Sequence, residues 1–167
     1  DNAADFLFPN FGDHGYVQVT LDPESLQFVK EHLEKISDPL LRMQIWQSLW
    51  EMVRNQELSS LDYITIATEK VQIESNLELI EVIIEQLSSA VSRYVPEEMK
   101  LSEARKLFTL ARSQLTVARN SDERILWGRA MFGFAVADDD IAQSLDIIEQ
   151  KVTITKFTPD QDMRWGV

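Results

Sequence analysis

Apolar residues recur every three to four positions from residue 22 onward, which is the period of helices with one buried face. Asp22-Pro23 and Asp38-Pro39 indicate helix starts, because aspartate accepts from free main-chain N–H groups and proline suits the first helical position. The later starts are marked by Ser59 or Ser60, the capping box Ser75-Asn76-Leu77-Glu78, Pro96, Ser121, and Asp138 or Asp139. The pattern therefore predicts seven helices between residues 22 and 150. The inward face of the fourth ends at Tyr94, and that of the seventh contains Ile141, Leu145 and Ile148.

The predicted starts are regularly spaced along the first part of the chain. They fall near residues 22, 38, 59, 75 and 96, so every second start is separated by about 37 residues. Helix pairs of that length stack on one another and bury their faces only against neighbouring pairs. We therefore predict an all-α fold of stacked antiparallel helix pairs in a HEAT/armadillo-like right-handed superhelix. An irregular helical bundle is the alternative.

The first 21 residues have a different pattern. Val17, Val19 and Leu21 alternate with polar residues, which is the period of a strand. A single strand cannot bury both faces, so residues 1–21 are predicted to finish a β-domain that lies upstream. Residues 22–167 form the predicted helical domain. Near its end, Val152–Phe157 is predicted to be extended, and Thr158-Pro159 to open a helix that the chain end truncates.

Composition narrows the possible functions. With 167 residues and 44% hydrophobic residues, the chain has the size and apolar content of one packed domain. A net charge of −12 disfavours nucleic acid as a partner, since phosphate binding depends on Lys and Arg. The chain has no cysteine, which excludes thiol chemistry and is consistent with a cytoplasmic location. No apolar run is long enough to predict a membrane span.

The sequence offers little that suggests catalysis. His14 and His32 are far apart and neither belongs to a His-Glu-x-x-His pattern, so no metal or catalytic residue is predicted in this chain. Asp138–Asp140 are interpreted as acids at a helix start, where they offset the helix dipole. Glu74, Glu78, Glu81 and Glu85 are interpreted as a solvated helix face, and Trp46 and Trp50 as buried packing.

Three stretches resemble one family of enzymes. Residues 10–19 (NFGDHGYVQV) are similar to the segment that closes the small β-domain of aminopeptidase N-type zinc metallopeptidases of the gluzincin family. Residues 38–63, from Asp38-Pro39 to Asp62-Tyr63, resemble the C-terminal domain of the bacterial, actinobacterial-like branch. Residues 160–165 (DQDMRW) resemble an Asp-x-x-Leu-Arg-Trp pattern of the same branch. Glu51 and Asn55 depart from the family pattern, which has aspartate at both places.

The resemblance implies a non-catalytic C-terminal cap domain, of which this chain would be the first part. Such a cap walls the substrate chamber of an enzyme that removes N-terminal residues from peptides. The zinc and its ligands would belong to the catalytic domain of the parent protein, and this chain would be inactive alone. Expected partners are the upstream catalytic and β-domains and the peptide substrate. The alternative is a stand-alone helical-repeat scaffold that binds a peptide or protein segment.

Two groups of residues are candidates for contacts. Arg42, Arg54 and Arg164 could face peptide, because a guanidinium suits a carboxylate, although pairing with neighbouring acids is the more ordinary use. Phe6, Phe8, Tyr16 and Trp165 are the expected inter-domain contacts, as apolar residues near the two ends of the chain.

Overall fold

The structure is a computed structural model that describes residues 6–11, 15, 17–161 and 163. In that part of the chain the regular structure is all helical, which confirms the predicted all-α class. The α-helices are α1 (Pro23–His32), α2 (Pro39–Arg54), α3 (Ser60–Val71), α4 (Leu77–Arg93), α5 (Glu97–Val117), α6 (Ser121–Gly133) and α7 (Asp138–Ile148); a 3₁₀ turn (Leu33–Lys35) follows α1. The chain divides into two compact units, residues 1–87 and 88–167, and the boundary falls within α4. The superhelical arrangement stays a prediction.

The first three helices begin where the sequence predicts. Asp22 accepts hydrogen bonds from the main-chain N–H groups of Glu24 and Ser25, and Asp38 accepts one from Leu40. Ser59 caps α3 by accepting from Asp62 N. Each cap satisfies N–H groups that have no acceptor within the helix, which is why these short polar residues begin the helices.

Three later caps differ from the prediction by one residue. Asn76, not Ser75, caps α4, because its side-chain oxygen is 3.1 Å from Leu79 N. Asn120, not Ser121, caps α6, with Oδ1 2.9 Å from Glu123 N. The cap position of α7 is Ala137, so Asp138 lies inside the helix. In the first two cases an asparagine next to the predicted serine is the capping residue, and it accepts from the N–H group three residues further on.

The core of the first unit is built from α2, α3 and the start of α4. Its largest fully buried side chains include Ile45, Trp46, Leu49, Tyr63 and Leu79. Tyr63 packs edge-on against Trp46 and its hydroxyl donates to Gln86 Oε1. This hydrogen bond satisfies a phenol that is otherwise surrounded by apolar groups. Trp46 therefore has the buried position predicted for it, and Trp50 is half-buried against the same tyrosine.

In the second unit, α5 packs along α6, to which it is joined by residues 118–120. The predicted inner residues of α5 are all buried: Ala104, Leu107, Phe108, Ala111 and Leu115. After α7, Phe157 packs against Gly128 of α6, where an added Cβ would lie 2.4 Å from the ring. Glycine at this position thus allows the segment after α7 to approach the helix closely.

Four sequence-based expectations were wrong. Tyr94 is 38% exposed instead of buried. On α7 the buried positions are Asp140, Ser144 and Ile147, while Leu145 is 41% exposed, so the buried face is shifted from the apolar stripe.

Residues 152–157 form bends and a turn, with Lys156 at φ 61°, instead of an extended segment. No strand occurs at 17–21 in the described chain. Val19 and Leu21 are buried and Gln18 and Thr20 exposed, as the alternation predicts, but Val17 is 61% exposed and departs from it.

None of the helices in the described ranges combines the length and the apolar character that a lipid bilayer requires of a crossing helix.

Candidate functional site

The first unit contains an almost buried ion pair between Arg42 of α2 and Glu74, which lies between α3 and α4. Arg42 Nε and Nη2 each lie 2.9 Å from a Glu74 carboxylate oxygen, which is the bidentate geometry of strong Arg–carboxylate pairs. Arg42 Nη1 also donates to the carbonyl oxygens of Ile36 and Ser37, at 2.7 and 3.2 Å. The two side chains are only 11% and 8% exposed. Arg42 thus connects α2 to Glu74 and to the main chain at residues 36 and 37. It pairs with a neighbouring acid, which was the more ordinary of the two roles considered for it.

Glu74 is held in its charged form. Burial raises the pKa of this carboxyl, but hydrogen bonds from Arg42 and from the main-chain N–H groups of Asn76 and Ser75 outweigh burial and leave the pKa below its ordinary value. The main-chain N–H distances are 2.9 and 2.8 Å. Of the predicted glutamate row, Glu78, Glu81 and Glu85 are exposed, whereas Glu74 precedes the helix and is buried in this pair.

Arg54 has a different environment from Arg42. Its side chain is 53% exposed, and Nη1 lies 2.7 Å from Glu51 Oε1 one turn earlier on α2. Both residues line a groove of about 620 Å³ between α2 and the N-terminal segment, which also contributes Phe8 and Val17. An exposed i, i+3 pair is worth little to stability, so Arg54 can exchange its partner at small cost.

The floor of this groove contains a buried amide. Gln44 of α2 is 7% exposed, and its Nε2 donates to Asn10 O at 3.2 Å. Its Oε1 is buried and accepts no hydrogen bond within the structure. Gln18 and Gln47 line the same groove, so its lining includes several amide side chains. Side-chain amides both donate and accept, as a polypeptide main chain does.

The N-terminal segment presents apolar side chains on its surface. Phe6 stacks on Phe28 of α1 with ring centroids 5.0 Å apart, and Phe8 lies 6.4 Å from Phe6; both are half-buried. Leu7, Phe11 and Val17 are 68%, 58% and 61% exposed. The remaining predicted contact residues, Tyr16, Arg164 and Trp165, lie outside the described residues.

The described residues provide no cluster of three histidine or carboxylate side chains suited to a metal ion. His32 Nδ1 is 3.0 Å from Lys35 Nζ, and His14 lies outside the described ranges. Asp139 and Asp140, in the first turn of α7, face Arg105 of α5 at 3.6 and 3.8 Å. These acids therefore act in an ion pair and at a helix start, as the structural interpretation predicts.

A second cavity, of about 120 Å³, lies beside the Arg42–Glu74 pair and involves residues that the sequence did not suggest. Its wall includes Lys70 of α3, whose Nζ is 2.6 Å from Glu34 Oε2, and the buried ring of Trp46. The Lys70 hydrogen bond is the largest cause that lowers the pKa of Glu34. Lys70 and Glu34 are 36 positions apart in sequence, so no local pattern could have paired them.

Comparison with known proteins gives two findings. Residues 6–167 match the family model described as the ERAP1-like C-terminal domain. The chain is also 26% identical over 161 residues to a protein of Streptomyces lividans named "Aminopeptidase N". That alignment covers 96% of this chain but only 19% of the Streptomyces protein, so the chain corresponds to a small part of its relative.

Proposed function

The chain belongs to the family of ERAP1-like C-terminal domains, and from that premise we propose that it is a non-catalytic domain of a zinc aminopeptidase. The observation that carries the proposal is the family match, which extends over residues 6–167. The similarity to a protein named "Aminopeptidase N" supports the same activity for the parent polypeptide. The reaction of the parent would be the release of N-terminal residues from peptides.

The zinc of such an enzyme would be bound by residues outside the described part of this chain. The described residues do not fit a zinc site, since no three suitable side chains come together. We therefore assign no catalytic step to any residue named here. The proposed role is to wall the substrate chamber and restrict entry to it.

We propose that the N-terminal segment contacts the upstream β-domain and the catalytic domain. Exposed Leu7, Phe11 and Val17 support this, because large apolar side chains exposed along one segment are typical of an interface. The half-buried Phe6 and Phe8 would also belong to this contact, and the Phe6 ring is stacked on Phe28 of α1. A location in the cytoplasm remains a prediction.

Of the proposed peptide-facing arginines, Arg54 has the more suitable environment. Its side chain is 53% exposed at a groove of about 620 Å³, and its present partner Glu51 is a weak competitor. The Arg42 guanidinium already donates hydrogen bonds to the Glu74 carboxylate and to two main-chain carbonyl groups. The same groove would serve a stand-alone scaffold that binds a peptide segment, but the family match favours the aminopeptidase domain.

Hydrolysis of leucyl-p-nitroanilide tests the proposal. We expect no activity from the 167-residue chain with added zinc, and zinc-dependent activity from the polypeptide encoded by the complete reading frame. In that longer protein, Arg54→Gln should raise KM for peptides and leave kcat for the nitroanilide unchanged, with Arg129→Gln as the control. Zinc-dependent hydrolysis by the isolated chain would contradict the non-catalytic role.

A further inference from the structure

One face of α7 is buried although it is mostly polar. Its members are spaced by four and three residues, as on a single helix face, and they are Asp140, Ser144 and Ile147. Ser144 Oγ donates to Asp140 O at 2.8 Å, and Arg105 Nε lies 3.8 Å from Asp140 Oδ2. The rotation of α7 on the second unit is therefore set by this row, and its other faces point away from it.

The apolar row of α7 is offset from the buried row by one residue, or about 100° around the helix. It consists of Ile141, Leu145 and Ile148, which extend over about two turns, or about 10 Å. Leu145 is 41% exposed, and the two isoleucines are half-buried. Val152, just after the helix, is 43% exposed, and its N–H donates to Asp146 O at 3.1 Å. Apolar residues with this spacing are typical of a helix face that packs on another element.

The far border of this apolar row is acidic. Asp138, Asp146 and Glu149 lie on the side of the helix turned away from the buried row, and α7 itself contains no basic residue. Lys151 Nζ lies 3.6 Å from Asp146 and 2.5 Å from Glu149, so one ammonium group serves two carboxylates. Three carboxylates and one ammonium group leave this border with a formal charge of −2.

The charge limits what can cover the apolar row. In an antiparallel pair of two α7 helices the acidic borders would meet and repel, and in a parallel pair α7 would bring no basic residue to them. An anionic lipid surface would be repelled by the same carboxylates. A helix with its own apolar row and Lys or Arg beside it would match both the apolar row and the acidic border.

We propose that the apolar row of α7 is covered by such a basic-flanked helix, and that this helix belongs to the parent polypeptide outside residues 1–167. The inference rests on the proposed function only in placing this chain within a longer polypeptide. The alignment with the Streptomyces protein covers 19% of that relative, so most of a polypeptide of that kind lies outside these residues. The contact is then intramolecular, and α7 joins the chain to another part of the parent protein.

Thiol labelling of Leu145→Cys measures whether the row is covered. The 167 residues contain no cysteine, so the variant chain has one thiol, and mass spectrometry of tryptic peptides identifies the same site in the polypeptide encoded by the complete reading frame. We expect iodoacetamide to react at position 145 at least about tenfold more slowly in the longer polypeptide than in the 167-residue chain. Ser113→Cys, at an exposed position of α5, is the control and should react at similar rates in both.

A second position guards against misfolding of the first variant. Val152 lies outside the helix, so Val152→Cys leaves α7 itself unchanged. We expect position 152 to be protected in the longer polypeptide in the same way as position 145. Far-ultraviolet circular dichroism of both variants checks that the fold is retained.

Charge reversal tests the basic flank of the proposed helix. Asp146→Lys/Glu149→Lys places bases at the C-terminal end of α7, where they suit the helix dipole, and should reduce the protection of position 145 severalfold. Glu78→Lys/Glu81→Lys is the matched control, since it makes the same change of charge on the exposed face of α4. The protection should be unchanged in this control.

Equal labelling rates at position 145 in the two proteins, or full protection after the charge reversal on α7, would overturn the proposal. A labelling rate that falls as the concentration of the 167-residue chain rises would overturn it in favour of a second copy, and so would a reading frame that encodes these residues alone. Zinc-dependent activity of the longer polypeptide with an unprotected position 145 would refute this inference only. Protection without activity would refute only the proposed function.

Discussion

Replacing Arg42 with methionine would remove a guanidinium that joins three segments of the first unit. The substitution keeps an unbranched apolar side chain of similar length on α2, so it deletes the charge and the donors with little change of packing. It removes hydrogen bonds to the Glu74 carboxylate and to the carbonyl groups of Ile36 and Ser37. It also removes the Arg42 charge from the Glu74 carboxylate, which is 8% exposed and keeps its hydrogen bonds from the main-chain N–H groups of Ser75 and Asn76.

The expected loss of stability follows from that burial. Breaking a buried ion pair by removing one partner costs about 3–5 kcal/mol, because the remaining charge is desolvated and uncompensated. A domain of this size has a free energy of unfolding of about 5–15 kcal/mol, so the loss is a large fraction of the total. With a urea m-value of about 2 kcal/mol/M, a loss of about 4 kcal/mol lowers the unfolding midpoint by about 2 M.

Urea unfolding followed by far-ultraviolet circular dichroism measures this loss. Arg54→Met is the matched control: the same substitution on the same helix breaks an exposed pair and should cost less than about 1 kcal/mol. The double variant Arg42→Met/Glu74→Met should recover much of the stability, since an apolar pair replaces the ion pair. Equal, small losses in Arg42→Met and Arg54→Met would refute the reasoning.

The same pair gives a pH dependence. The pKa of Glu74 is lowered in the folded chain from an ordinary value of 4.5, so its stabilising contribution is complete above that value. The contribution is lost as the pH falls below 4.5 and the folded carboxyl takes up a proton. Glu74→Gln should therefore reduce the acid sensitivity of stability between pH 5 and pH 3, measured as the difference in urea midpoint from the parent chain.

Four further substitutions test the packing and capping. Gly128→Ala should cost about 1–2 kcal/mol, since displacing Phe157 outweighs a gain of about 1 kcal/mol in helix propensity; Gly133→Ala, where nothing lies within 4 Å of the added Cβ, should be neutral or stabilising. Asn120→Ala should cost about 0.5–2 kcal/mol through the lost α6 cap. Tyr63→Phe should cost about 1–3 kcal/mol, because its buried amide partner loses its donor. Urea midpoints measure all four variants, and values within about 0.3 kcal/mol of the parent would contradict each expected loss.

The helices could be predicted from the sequence because their signals are local. Asp22-Pro23 and Asp38-Pro39 specify a start by their own chemistry, and both helices begin there. The shift of one residue at Asn76 and Asn120 shows the limit of such signals. When two capping residues are adjacent, the sequence alone fixes the helix start only to within one or two residues.

Burial on α7 could not be predicted in the same way. Periodicity identifies the apolar stripe of Ile141, Leu145 and Ile148, but burial depends on the neighbours that each face meets. In the described chain Asp140 lies 3.8 Å from Arg105 and is buried, whereas Leu145 is 41% exposed. Tyr94 is another case, as the fourth helix ends at Arg93, just before it.

The candidate sites were the least predictable part. Arg42 was identified from the sequence, but its partner Glu74 is 32 positions away and was interpreted as part of a solvated helix face. Lys70 and Glu34 are related only through the fold, and nothing in the composition marks Trp46 as a buried donor without an acceptor. Long-range pairs of this kind require the tertiary structure.

The reading frame upstream of the codon for Asp1 tests the central claim most directly. If this chain is the non-catalytic domain of a zinc aminopeptidase, sequencing that DNA should find Gly-x-Met-Glu-Asn followed by His-Glu-x-x-His in the same frame. A start codon immediately upstream, with no zinc-binding motif in frame, would contradict the claim.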